Sequence, residues 1–361
     1  MALVFMDSFD HYATDDRLKK WDREGGYVWG SNIIASTLQR RAGTKYLWIS
    51  RSHHISKDVR DTVTLGPITT FVIAAAIYLG GPDIYGIGDA DIILTNAAGT
   101  QLFRLRANGN DGKLSFYIGT TLVEETASDF LNVLTWFHLE MKVVIDGVNG
   151  TYEIKYNENS TFADTGVDTE PYVGEGVGQV RLSNSGSGGY DDFFFLDGNA
   201  SADPANPAND FLGDCRIDCI YPNAAGDYTD FTPVPAVANY LNVDDPGDID
   251  DDATYNESAI VGNKDIYNLD SVLALGTPIF AVAQNSCMRK TDAGRRYVRQ
   301  LVKINGTDYL RDSGLTNDDG EWYLTDNFKV IQRPLDVNPD TDLAWTEADL
   351  DGTQSGVQIT V

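Results

Sequence analysis

A chain of 361 residues with 42% hydrophobic content can build two cores, and 27 basic against 54 acidic residues leave it at −27. That charge excludes a nucleic-acid partner, whose phosphates need a basic surface, and opposes adhesion to an anionic membrane. Three cysteines, Cys215, Cys219 and Cys287, are too few for a disulfide framework, and with no His or Cys nearby at ligand spacing they read as small hydrophobes assembled in a reducing cytoplasm.

The amino terminus has no basic n-region and only a short apolar run, so no signal peptide is expected. Residues 3–6 read as a strand. Thr14 then reads as an N-cap, with Asp15 and Asp16 in the first turn and Lys19 and Lys20 in the last, which predicts a short helix. From Gly26 to Tyr221 short apolar segments alternate with turn residues. Strands are predicted near 27–29, 46–50, 62–65, 71–79, 91–95, 101–106, 114–118, 180–182, 191–196 and 215–221. The run 71–79 is apolar throughout, which suits a strand covered on both faces or a buried helix, and it is too short to span a membrane.

The clearest pattern is 135–156. Phe137, Leu139, Met141, Val143 and Ile145 alternate with His138, Glu140 and Lys142. Asp146-Gly147 and Asn149-Gly150 let the chain reverse, and Tyr152, Ile154 and Tyr156 alternate with Glu153 and Lys155. The result is a long antiparallel hairpin that needs a second sheet over its apolar face. Between 222 and 256 the composition turns to Pro, Ala, Asn and Asp, which reads as a linker. Strands are predicted again near 279–283, 297–304, 322–324, 328–332 and 356–361, with one short helix capped at Thr346 and ended at Gly352. The sequence therefore predicts an all-β protein: a jelly-roll sandwich over 1–222, a Pro/Asp-rich linker over 223–256, and a smaller β-sandwich over 257–361.

Two resemblances sharpen this. Thr135-Trp136-Phe137-His138-Leu139-Glu140, followed by the hairpin and by Tyr190-Asp191-Asp192-Phe193-Phe194-Phe195, resembles the concanavalin A-like lectin/glucanase sandwich. The whole chain resembles a group of bacteriophage virion proteins. The likeness rests on FMDSFDHYAT (5–14), FLGDCRIDCIYPNAAGDYTDFTP (211–233), Arg289-Lys290-Thr291-Asp292-Ala293-Gly294-Arg295, and Asn338-Pro339-Asp340-Thr341 with Ala344-Trp345-Thr346. It implies a virion structural protein, associated with tail, fibre or capsid and assembled in the host cytoplasm.

Glucanases on this sandwich carry Glu-x-Asp-x-x-Glu, whereas Glu153-Ile154-Lys155 has lysine where Asp is needed, so no enzyme is expected. His11, His53, His54 and His138 form no HExxH; the adjacent pair is expected in a surface loop, and His138 on a wet face. Asp336, Asn338, Asp340, Asp342 and Glu347 occupy positions 1, 3, 5, 7 and 12 of an EF-hand-like loop, which makes Ca2+ the one cofactor to test. Thr341 stands where glycine makes the sharp turn, so an Asx/Pro turn ahead of a short helix is the favoured reading. The acidic run around Asp244–Asp252 reads as solvated linker. Loop aromatics Tyr27, Trp29, Tyr85 and Tyr190 are candidates for stacking on a sugar. The expectation is a non-enzymatic tail or fibre appendage, a symmetric homo-oligomer touching other virion proteins and a host-surface glycan. Alternatives are a capsid decoration protein or a carbohydrate-binding receptor-recognition module.

Overall fold

The computed structural model describes residues 2–25, 33–36, 45–50, 53–59, 66–80, 87–198, 208, 210–272, 278–310 and 322–361. The strands expected near 27–29 and 62–65, together with Tyr27, Trp29 and Tyr85, lie outside these residues. The chain divides into two units, the first ending at Asp218 and the second beginning at Cys219.

In chain order the first unit contains β1 (Ala2–Asp7), a 3-10 turn (Thr14–Asp16), α1 (Arg17–Lys20), β2 (Arg23–Gly25), β3 (Ile33–Ser36), β4 (Tyr46–Ser50), β5 (His53–Asp58) and β6 (Thr70–Leu79). It continues with β7 (Ala90–Thr95), β8 (Gln101–Asn108), β9 (Lys113–Ile118), β10 (Thr121–Glu125), β11 (Trp136–Val144), β12 (Gly150–Tyr156), β13 (Asn159–Val167), β14 (Gln179–Asn184) and β15 (Ser187–Asp197). The predicted hairpin is β11–β12, with Met141 opposite Ile154 and Glu140 opposite Lys155. It sits in an eight-stranded sheet ordered β13-β12-β11-β6-β15-β4-β3, with β1 added against β15. The covering sheet has seven strands, β10-β9-β8-β7-β14-β5-β2. Among the described residues the named strands pair antiparallel, and neighbours such as β6–β15 and β7–β14 are distant in sequence, which is jelly-roll connectivity.

The inner faces meet through aromatic rings. Phe116 lies 4.9 Å from Tyr152 and Phe71 lies 5.7 Å from Phe103, each pair joining one sheet to the other. The run 71–79 is β6, and it is buried along its whole length as its unbroken apolar sequence required. Gly189 on β15 has a packing reason: a Cβ there would lie 2.6 Å from the Tyr46 ring, within a cluster that includes Trp136 and Tyr78.

Two expectations fail from residue 215 onward. Residues 215–221 form no strand, although Cys215, Ile217 and Cys219 alternate; residues 210–217 cross the outside of the eight-stranded sheet as an extended strap. Residues 223–256 are not a plain linker either. They hold β16 (Pro222–Thr229), β17 (Thr232–Val234), a 3-10 turn (Asn239–Asn242) and β18 (Tyr255–Glu257). Asn239 and Asn256 anchor this segment by side-chain hydrogen bonds to Asp265 and Tyr267, so polar residues supply the order that apolar ones would elsewhere.

The second unit continues with β19 (Lys264–Leu269), β20 (Val282–Met288), β21 (Tyr297–Ile304), β22 (Thr307–Leu310), β23 (Trp322–Tyr323), β24 (Lys329–Leu335), α2 (Glu347–Asp351) and β25 (Gln354–Ile359). A six-stranded sheet runs β16-β19-β25-β21-β22, with β23 added to β21. The pair β20–β24 is tied to it by buried glutamines: Gln284 donates to the Gly356 carbonyl and Gln300 to that of Ile331. Trp345, Leu335, Val302, Ile304 and Leu350 form one of its cores.

Candidate functional site

The outer face of the seven-stranded sheet is where charge is laid out in order. In β8, Phe103, Leu105 and Ala107 point into the sandwich, so the period of two puts Arg104 and Arg106 outside. Register aligns them with their neighbours. One row reads Ser115, Arg106, Asp91, Ser183, His54, and the next reads Tyr117, Arg104, Ile93, Arg181, Ser56, Arg23.

Asp91 is the centre of this face. Arg104 donates to both of its oxygens, Nε to Oδ1 at 2.8 Å and Nη2 to Oδ2 at 2.7 Å, and Arg106 Nε donates to Oδ1 at 2.9 Å. Two planar forks on one carboxylate fix all three side chains. They remain reachable, the Arg104 and Arg106 side chains being 21% and 27% exposed. Burial pushes the Asp91 carboxyl up to about 6 against the pull of Arg106. Tyr117 lies alongside, its ring centre 5.7 Å from the Arg104 guanidinium carbon. His54 crosses Gly25, where a Cβ would come within 2.5 Å of the imidazole, and burial and Arg181 hold its pKa below the usual value. Such a face offers donors, an acceptor and an aromatic edge at fixed spacing, which suits a polyhydroxylated ligand.

The outer face of the eight-stranded sheet is closed by the strap. Glu140 on β11 accepts backbone N–H groups from Leu212 (2.7 Å) and Gly213 (3.2 Å), and Asp192 on β15 accepts from Ile217 (2.8 Å). Since β6 lies between β11 and β15, the strap passes over Ala74 and Ala76, which are fully buried. Phe211 sits under the Lys155 ammonium at 3.8 Å, and Lys142 pairs with Asp210 at 2.7 Å. Burial pushes the Glu140 carboxyl up to about 7, opposed by the two N–H groups.

The sequence-derived candidates fare differently. Tyr190 is not a surface aromatic: it is fully buried, and its hydroxyl donates to the carbonyls of Asp91 (3.1 Å) and Ser183 (2.5 Å), tying one sheet to the other. The acidic loop does not converge on a cation. Asn338 is buried and its Oδ1 accepts from the Asp340 N–H; Asp340 accepts from Tyr309 and Asn305, which hold its carboxyl below the usual range; Glu347 begins α2. Among the described residues no three His, Cys, Asp or Glu side chains gather as a metal site, so Asp336, Asn338, Asp340, Asp342 and Glu347 form a turn before a Thr346-capped helix. His53 and His54 open β5 instead of lying in a loop, and His138 is buried, not wet.

The FMDSFDHYAT motif is structural. Asp7 is fully buried and accepts from Trp21 Nε1 (2.7 Å), the Tyr12 hydroxyl (2.8 Å) and the Phe9 N–H (2.9 Å), with Lys20 Nζ at 3.1 Å. Burial works against its charge, but Lys20, His11 and these bonds hold the carboxyl below its usual range. The open face was missed by sequence reasoning. Its signal was present in LFRLRAN, where arginines alternate with buried apolar residues, but only the register brings Asp91 to them.

No protein-family model and no curated protein matches the chain. Among solved structures it is similar to a protein of unknown function with a galectin-like fold from Bacillus subtilis, at 12% identity and TM-score 0.37, covering 55% of this chain and 96% of that one. It is also similar to a cellulose-induced protein, Cip1 (13%, TM-score 0.36, 50% and 92%). A third is the CBM2 module of the evolved Dit of Lactobacillus casei BL23 phage J-1 (12%, TM-score 0.31, 54% and 94%). The strand order defines the class directly: an all-β protein with a lectin-like jelly-roll sandwich, one of whose outer faces is open and polar.

Proposed function

We propose that the chain is a non-enzymatic structural protein of a bacteriophage virion, carried as a symmetric oligomer on the tail or fibre, whose jelly-roll unit binds saccharide on the open face of its seven-stranded sheet. The saccharide assignment rests on the Asp91 carboxylate clamped by Arg104 and Arg106 beside Tyr117. Neighbouring sugar hydroxyls need a donor and an acceptor at fixed separation. Arg104, held in place by the clamp, supplies a donor and the Tyr117 hydroxyl an acceptor, without ordering side chains on binding. Tyr117 offers a flat apolar surface to the C–H face of a ring. The virion assignment rests on the sequence resemblance, and the non-enzymatic one on the missing paired-carboxylate motif.

A glycan array probed with the full chain and with Arg104→Ala/Arg106→Ala tests the first part. Retention of saccharides by the parent and their loss in the double variant is the expected result; no retained glycan, or retention unchanged in the variant, overturns it. Density for this chain at the tail or fibre in a cryo-EM map of the particle is expected; density only in repeated shell positions would make it a capsid decoration protein.

A further inference from the structure

Among the described residues, every arginine on the open face but one has a carboxylate. Arg104 and Arg106 share Asp91, and Arg23 Nη2 is 2.7 Å from Asp58 Oδ2. Arg181, between Ile93 and Ser56 in the same row, has none, and its buried Nε meets no hydrogen-bond partner among the described residues. Its ionisable neighbours are Arg23 and, one row away, His54, so among the described residues no carboxylate neutralises it. In a chain with 54 acidic and 27 basic residues, a guanidinium left unpaired on an ordered strand is conspicuous, because a partly buried charge without a partner is unfavourable.

The ladder fixes its distance from the clamp. Arg104 and Arg181 lie on either side of Ile93, two strand spacings apart, so their backbones stand about 10 Å from one another. That leaves room for one sugar ring over Ile93, with its hydroxyls toward Arg104 and an exocyclic group toward Arg181. A guanidinium fork matches a carboxylate through two parallel N–H···O bonds.

We propose that the open face takes an acidic saccharide, with Arg181 holding a sugar carboxylate while Arg104, fixed by Asp91, and Tyr117 hold the neighbouring hydroxyls. This inference rests on the reading of that face as a saccharide site. It is tested with the full chain on an array of uronate- and nonulosonate-bearing glycans, each beside its methyl ester and its O-sulfated neutral counterpart, followed by calorimetry on the strongest ligand. The acid is expected to bind at least tenfold more tightly than its ester. Arg181→Ala is expected to erase that preference while leaving the weaker binding of the ester in place, and Arg181→Lys to keep part of it. Thermal unfolding of Arg181→Ala at or above the parent temperature separates this from a folding defect, since the substitution removes an unpaired charge.

Equal binding of acid and ester overturns the inference, as does a preference that survives in Arg181→Ala. A sulfated glycan bound as tightly as the acid overturns the carboxylate assignment. If neutral glycans bind and depend on Arg104 while acids gain nothing, the inference falls and the saccharide site stands. If no glycan binds at all, the site itself falls.

Discussion

The two outer faces of the jelly-roll sandwich solve one problem in opposite ways. On the eight-stranded sheet the outward positions of β6 are Val72, Ala74 and Ala76, which no solvent-facing strand would carry, and the strap at 210–217 covers them. On the seven-stranded sheet the outward positions are Asp91, Arg104, Arg106 and Arg181, and the face stays open. Buried carboxylates therefore do different work on the two sides. Glu140 and Asp192 satisfy backbone N–H groups of the strap, whereas Asp91 organises side chains that solvent and ligand can reach. Closing a face yields stability, and leaving one open leaves a place to bind.

The largest effect should come from cutting the strap. Glu140→Ala at pH 5 leaves the Leu212 and Gly213 N–H groups buried without an acceptor, which costs about 4 kcal/mol at one to three per group. Urea unfolding measures it, and a loss under about 1 kcal/mol would show that Glu140 does not hold the strap. The companion expectation is early proteolytic cleavage within 210–217 in the variant and resistance there in the parent.

The second effect is a pH dependence on the closed face alone. Burial raises the Glu140 carboxyl to about 7 from an ordinary 4.5, so the folded state binds the proton more tightly than the unfolded state does. A raised folded value means that this contribution to stability is full below pH 4.5 and is lost as the pH climbs to 7. Relative to Glu140→Gln, which cannot titrate, the parent should lose up to about 3 kcal/mol between pH 4.5 and 8. A difference between the two proteins that stays flat with pH would mean the carboxyl titrates normally.

How much of this contrast was legible in the sequence follows from where each hydrogen bond goes. The hairpin 137–156 could be read because its partners are adjacent and its period is two. The doubly covered β6 could be read because nine apolar residues in a row admit no wet face. The strap could not: Cys215, Ile217 and Cys219 alternate like a strand, yet its anchors are carboxylates more than twenty residues away. The segment 223–256 was opaque for a related reason, since Asn239 and Asn256 order it through Asp265 and Tyr267, while Pro and Asp composition suggests a linker. The open face had its letters in LFRLRAN and ADIILT, but three-dimensional register was needed to join them. Tyr190 shows the converse error: a tyrosine beside glycines looks like loop, and is a strut between sheets.

On the open face the stability effects shrink and the binding effects grow. Asp91→Asn takes the charged acceptor from Arg104 and Arg106 but also relieves a buried carboxyl pushed up to about 6, so stability at pH 7 should stay within about 1 kcal/mol of the parent. Saccharide retention should nevertheless fall, because the two forks are no longer fixed. Retention at the parent level would show that the clamp positions nothing.

The smallest structural effect with a functional one attached is expected at Tyr117. Its ring rests against Arg104 on the outside of β9, and truncation opens no cavity in the core, so Tyr117→Ala should unfold within about 0.5 kcal/mol of the parent. If a sugar ring stacks there, calorimetry should show about a tenfold loss of affinity, the scale of an aromatic contact worth one to one and a half kcal/mol. The pairing of those two readouts is what separates the faces. A substitution on the closed side should move stability and binding together, since it loosens the sandwich, whereas Tyr117→Ala should move binding alone. A stability loss of 2 kcal/mol or more at Tyr117 would mean that its ring is buried packing, and the flat surface proposed for a sugar would be lost with it.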